Sequence, residues 1–148
     1  MKGRQAVQSI ELSTIAHATE DLEKVETALA YLLPVSLRGR QPFNRRYLQG
    51  HYGNPIVTFE AHVTGPTELA EFKDSFLKQL SAIDKLTIIR DLDRCADKDG
   101  NLYIRIDKQR MYDGRVRLGQ DDPIRVRIKF TRFTGTATPL MIEYLESE

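Results

Sequence analysis

From Val7 to Ala16 apolar and polar residues alternate, with Ile10, Leu12 and Ala16 on one side and Glu11, Ser13 and His17 on the other. That period of two predicts a half-buried strand. The period then lengthens: Leu22, Val25, Leu29 and Leu32 recur at helical spacing. Thr19 offers an N-cap oxygen, Glu20, Asp21 and Glu23 favour the positive end of the helix dipole, and Pro34 ends the helix. Residues 35–46 have the composition of a loop. Arg46 to Tyr52 and Ile56 to Val63 flank a turn at Gly53-Asn54-Pro55, and Val57, Phe59, Ala61 and Val63 share one side of the second run. Together they predict a β-hairpin.

Pro66 opens a helix whose buried stripe is Leu69, Phe72, Phe76 and Leu80. Ser81 with Asp84 forms a capping-box pattern for a further short helix, about 82–95, carrying Leu86, Ile89 and Leu92 inward. The run Leu86-Thr87-Ile88-Ile89 also fits a strand. After a break at Asp99-Gly100-Asn101, Leu102, Ile104 and Ile106 alternate with Tyr103, Arg105 and Asp107. In Ile124 to Phe130 every second residue is apolar and the intervening ones are Arg125, Arg127 and Lys129. Such a strand has one face on a core and one in water, with its cations about 6.5 Å apart. Leu140-Met141-Ile142, after a turn, predicts an edge strand or a packing tail. The order is β-α-β-β-α-α-β-β, an α+β fold. No repeat or linker divides residues 1–148, so a single domain is expected.

Composition is that of an ordinary globular protein, 41% apolar and 29% charged over 148 residues. No apolar run approaches the roughly 18 residues of a membrane span, and the basic start Met1-Lys2-Gly3-Arg4-Gln5 lacks the apolar run of a secretory signal. Cys95 is the only cysteine, which fits a reducing compartment. The expected location is the cytoplasm, with no membrane partner. The net charge of +1 conceals segregation. Residues 27–59 hold Arg38, Arg40, Arg45 and Arg46 with no acid, and residues 102–133 carry a net +5. The intervening residues 60–101 carry −3. If the fold unites the two basic segments, a nearly neutral protein acquires one basic face.

Catalytic patterns are absent. His17, His51 and His62 form no HExxH pair and have no cysteine at ligand spacing, and there is no GxSxG elbow or glycine-rich phosphate loop. His17 and His62 fall at strand ends or faces, where a structural role is expected. A calcium loop centred on Gly100 would need oxygen ligands where Cys95 and Ile106 stand. Cys95 has no activating neighbour. No enzyme activity, metal or cofactor is therefore expected. A rival enzyme reading would need a pocket placing His51 near Asp107 or Asp113.

Two stretches carry candidate binding chemistry. The first runs from Arg38 through Arg40, Phe43, Arg45, Arg46 and Tyr47 to His51-Tyr52-Gly53-Asn54-Pro55. Arginine's planar fork suits phosphate, and Phe43, Tyr47 and Tyr52 could stack on unpaired bases. The plain alternative is a solvated loop whose aromatics plug the core. The second, residues 107–117, offers Lys108, Arg110, Arg115 and Arg117 to a phosphate backbone, with Gln109 as a neutral donor or acceptor. Its plain alternative is a mobile loop that aids solubility. The excess of arginine over lysine in residues 102–133, seven to two, favours recognition. Arg125, Arg127 and Lys129 complete the set.

Four segments carry a resemblance: His17-Ala18-Thr19-Glu20-Asp21, Leu48 to Ile56 with its Gly-His-Tyr-Gly-Asn-Pro string, Ile106-Asp107-Lys108-Gln109, and Asp122 to Lys129. They resemble an archaeal family of predicted RNA-binding proteins, described as candidate exosome subunits with a double-stranded-RNA-binding-like domain. The resemblance implies a fold similar to the ribosomal protein that binds 5S rRNA, with helices on one face of a mostly antiparallel sheet. It also implies RNA as partner, an RNA-degradation complex as setting, and either packing or contact for His51, Tyr52 and Asn54. The expectation is a non-enzymatic RNA-binding protein in RNA processing, degradation or ribosome-related work. The alternative is a protein–protein module or homodimer docking an acidic partner through the basic face.

Overall fold

The computed structural model describes residues 6–38, 43–131 and 137–147. Among these residues five strands form one antiparallel sheet: β1 (Val7–Ala16), β2 (Asn44–Gln49), β3 (Pro55–Val63), β4 (Asn101–Ile106) and β5 (Ile124–Phe130), in the order β2-β3-β1-β5-β4. Ala61 lies opposite Leu12, Leu12 opposite Val126, and Val126 opposite Ile104, so one apolar row crosses four strands. Val63, Ile10, Ile128 and Leu102 form the next row. Because side chains alternate, the rows between them must point to the opposite face.

The helices cover the apolar face. α1 (Leu22–Ala30) buries Val25, Ala28 and Leu29, and α2 (Pro66–Gln79) buries Leu69, Phe72, Phe76 and Leu77. α3 (Ala82–Arg90) and α4 (Leu92–Cys95) follow, then α5 (Lys108–Met111) and α6 (Thr138–Glu146). One continuous core joins these helices to the strands. The Phe72 and Phe76 rings stack at 5.1 Å, and Tyr144 meets Phe130 edge-on at 5.4 Å. No helix among the described residues is long and apolar enough to cross a membrane.

Several local expectations shift. Asp21, not Thr19, caps α1, accepting from the Glu23 and Lys24 N–H groups. β2 begins two residues early and stops before Gly50, where the Gly50 N–H closes the turn onto the Asn54 carbonyl. Gly53 sits at the tip with φ 82°, a conformation glycine adopts without steric cost. The 82–95 segment is helical, but it breaks at Asp91 and turns Ile88 and Leu92 inward, leaving Leu86 59% exposed. Residues 140–142 belong to α6 rather than to a strand. Pro139 sits in its first turn, and Met141, Tyr144 and Leu145 make its buried stripe. The 107–117 segment opens with α5 instead of a plain loop, capped by the Asp107 carboxylate on the Arg110 N–H.

Candidate nucleic-acid interface

Among the described residues, no helix covers the second face of the sheet. Across it the register aligns Glu60, Ser13, Arg125 and Arg105 in one row, and His62, Glu11, Arg127 and Tyr103 in the next. Lys129 lies opposite Asn101 beyond them, and Arg46 lies opposite Thr58 on the β2 side. Arg105 and Arg125 thus stand side by side on neighbouring strands. Like charges in that arrangement repel and are ordinarily avoided. Arg46, Arg105, Arg125 and Lys129 form no ion pair among the described residues. Arg127 is partly neutralised by Glu11 at 3.5 Å, and Glu11 also meets His62 at 3.3 Å. The face is therefore divided, cationic over β4–β5 and mixed over β1–β3.

A groove of about 500 Å³ runs between these halves, floored by Ser13, Ile15 and Thr58 and bounded by Arg46, Arg125 and residues 120–123. Residues 117–119 run beside β4, with the Gly119 N–H donating to the Arg105 carbonyl and the Asp107 N–H to that of Arg117. A Cβ on Gly119 would stand 2.7 Å from Asp107 Cα, so only glycine permits this approach.

All four segments of the resemblance meet at one end of the sheet: the end of β1, the β2–β3 turn, the end of β4 and the start of β5. A charged network ties three of them. Lys108 Nζ, 1% exposed, lies 2.8 Å from the Ile15 carbonyl, 2.9 Å from Glu20 Oε1 and 2.8 Å from Asp122 Oδ2. Tyr112 donates to Glu20 at 2.9 Å, and His17 Nε2 lies 3.0 Å from Asp122. Burial alone would raise the Glu20 carboxyl. The His17 N–H, the Lys108 ammonium and the Tyr112 hydroxyl outweigh it and hold the pKa below the ordinary value. Asp122 is also held low, its burial outweighed by Lys108 and His17. Burial, reinforced by Glu20, pushes the Tyr112 phenol up.

Among the described residues, two clusters bring three potential metal ligands together, Glu11-Glu60-His62 and His17-Glu20-Asp122. The Lys108 ammonium fills the second, and the Arg127 guanidinium shares Glu11 in the first.

The candidate residues from sequence separate into groups. Arg46, Arg125, Arg127 and Lys129 share the open face. Lys108 does not reach for phosphate, because its ammonium is buried and held by two carboxylates and a carbonyl. Arg38 donates to the carbonyls of Ala30, Leu33 and Tyr31, closing the end of α1. Arg45 lies on the opposite face, 3.4 Å from Glu26 and 5.2 Å over the Phe59 ring, and Phe43 packs against the core. Arg117 leans on Asp84 at 3.5 Å. Gln109, Arg110 and Arg115 are exposed on α5 and the turn after it, where Tyr112 shares a cleft with Lys24 and Tyr31 of the helical layer. His51, Tyr52 and Asn54 are exposed at the hairpin tip. The Tyr52 ring is 87% exposed and edge-on to His51 at 4.8 Å. His51 forms no hydrogen bond or ion pair with Asp107 or Asp113 among the described residues. Arg40 lies outside the described residues. Two open-face residues went unselected, Tyr103 and Arg105, although the alternation of Leu102, Ile104 and Ile106 already turns them away from the core.

A family model described as RNA binding matches residues 9–130. The RNA-binding protein PAB1135 of Pyrococcus abyssi is 33% identical over 153 residues, spanning 100% of this chain and 99% of that protein. The uncharacterized protein MJ0213 of Methanocaldococcus jannaschii is 35% identical, spanning 86% of this chain and 87% of its own. Among solved structures, AF2318 of Archaeoglobus fulgidus, of the DUF54 family, superposes with a TM-score of 0.82 at 30% identity, over 93% of this chain and 99% of that one. Mth689 of Methanothermobacter thermautotrophicus, a DUF54 protein, gives 0.78 at 26% identity over 96% and 100%. With its family model covering most of the sheet and its relatives matched nearly end to end, this chain belongs to the RNA-binding, or DUF54, family.

Proposed function

We propose that this protein binds RNA through the helix-free face of its sheet, without catalysing a reaction on it, as an RNA-processing, RNA-degradation or ribosome-related factor. The observation that carries the reading is the cationic strip of β4 and β5. Arg105 and Arg125 oppose each other directly, Lys129 extends the line, and none of the three has a carboxylate partner among the described residues. Held side by side on a sheet, such charges are relieved by an anion laid across them. A phosphate backbone supplies several anions in a row, and each contact releases counterions. The hairpin tip with His51, Tyr52 and Asn54, and the exposed Gln109, Arg110 and Arg115, offer secondary contacts at the sheet end.

Equilibrium binding to RNA tests this with R105E/R125E against R45E, whose site faces the helices. The open-face double variant should lose at least about tenfold in affinity at low salt, with R45E close to the parent. Equal losses in both would reject the face. A parent protein that self-associates and binds no RNA would favour the homodimer reading instead.

A further inference from the structure

Of the aromatic residues on the sheet, Tyr103 is placed unlike the rest. It stands on the helix-free face, 44% exposed, directly opposite Arg127 and two residues from Arg105. Its hydroxyl donates to Asp97 Oδ2 at 3.1 Å, and that carboxylate also accepts from the Asn101 side chain at 3.0 Å and from the Asn101 and Asp99 N–H groups. Burial would raise the Asp97 carboxyl, but these donors hold it ionised and below its ordinary value. The ring is thus tethered at its outer end. It forms part of a groove of about 450 Å³ with Asp91, Arg94, Arg105 and Gln120.

From this placement we infer that Tyr103 is a stacking platform for an unpaired base, and that the RNA this face accepts is single-stranded. The inference rests on the RNA-binding reading above and adds the form of the ligand. Stacking of this kind tolerates any sequence, because every base has a π-face. In a duplex those faces are covered by neighbouring base pairs, and a ring lying on a sheet surface cannot reach them. An extended strand presents both of the things this surface offers to meet: bases for Tyr103, and phosphates for Arg105 and Arg127 beside it. The adjoining groove, at the sheet edge against α3 and α4, supplies Gln120 as a hydrogen-bonding group at the edge of a stacked base, while its Asp91 pairs with Arg94 at 3.4 Å.

The chain has no tryptophan, so Y103W places a single indole on the face. Titrating it with oligouridylate, and with an RNA duplex of equal length, follows stacking directly. The expected result is quenching of the indole by the single strand and at least about tenfold weaker binding of the duplex. In the same assay Y103A should bind the single strand about tenfold more weakly. Y103F, which keeps the ring and loses only the tether, should stay within about threefold of the parent. Salt-sensitive binding with unchanged indole emission, or a duplex bound as tightly as the single strand, overturns the platform while leaving RNA binding in place. Failure of the parent to bind either RNA at low salt removes both readings.

Discussion

A lysine ammonium taken out of water needs compensating charge, and Lys108 has it on two sides, from Glu20 and Asp122. Removing the ammonium leaves the partly buried Glu20 carboxylate and the Ile15 carbonyl without their donor, while Asp122, 37% exposed, remains in water. K108M should therefore destabilise the protein by about 1–3 kcal/mol, read by denaturant unfolding, while RNA affinity of the folded fraction stays unchanged. A normal unfolding midpoint with weakened RNA binding would instead make Lys108 a contact residue. The same network sets a pH window. Glu20 and Asp122 have folded pKa values below their unfolded ones, so their contribution is complete above about pH 5 and is lost as the pH falls through the folded values. The Tyr112 phenol is raised instead, so its contribution is complete below about pH 10 and declines above it. Thermal midpoints should be level between these limits and fall outside them, with a smaller acid-side fall in K108M. A midpoint constant from pH 6 to pH 3 would contradict this.

At the scale of elements, β5 shows how far alternation alone can be read. Ile124, Val126, Ile128 and Phe130 are buried as expected, and Arg125, Arg127 and Lys129 share the other face. Applied equally to β4, the same rule would have added Tyr103 and Arg105. What alternation cannot supply is the neighbour across the strand. Whether Arg127 is free depends on Glu11, 116 positions away in sequence, and whether Lys108 is a surface cation depends on Glu20 and Asp122. Arg45 and Arg46 were indistinguishable in sequence, yet their opposite parity in β2 places one over Phe59 and the other on the open face. Helix ends were legible where proline or a capping serine marked them, as at Pro66 and Ser81. The three apolar residues at 140–142 were too short a run to separate helix from strand. The Glu11–Arg127 pair also makes a prediction. E11Q keeps the shape and frees the guanidinium, so RNA affinity should rise by about two- to fivefold. Unchanged or weaker binding in a filter or anisotropy assay would show that Arg127 does not meet RNA.

For the molecule as a whole, a net charge of +1 gives no hint of a nucleic-acid partner. The charge matters only after folding sorts it, with the helices on one side of the sheet and an arginine-rich strip on the other. The two basic segments visible in sequence do not merge completely. Arg46 joins Arg125, Arg127 and Lys129 on the open face, whereas Arg38 and Lys108 are tied into the fold and Arg45 lies on the helix side. The measurement that bears most directly on this division is the salt dependence of RNA affinity from about 50 to 200 mM, in the parent and in R125E/R127E. With Arg46, Arg105, Arg125, Arg127 and Lys129 each meeting a phosphate of a single strand, the double-logarithmic slope should be about −3.5, and loss of two contacts should reduce its magnitude by about 1.4. A parent slope near zero, or a slope that R125E/R127E leaves untouched, would contradict the assignment of this face to RNA.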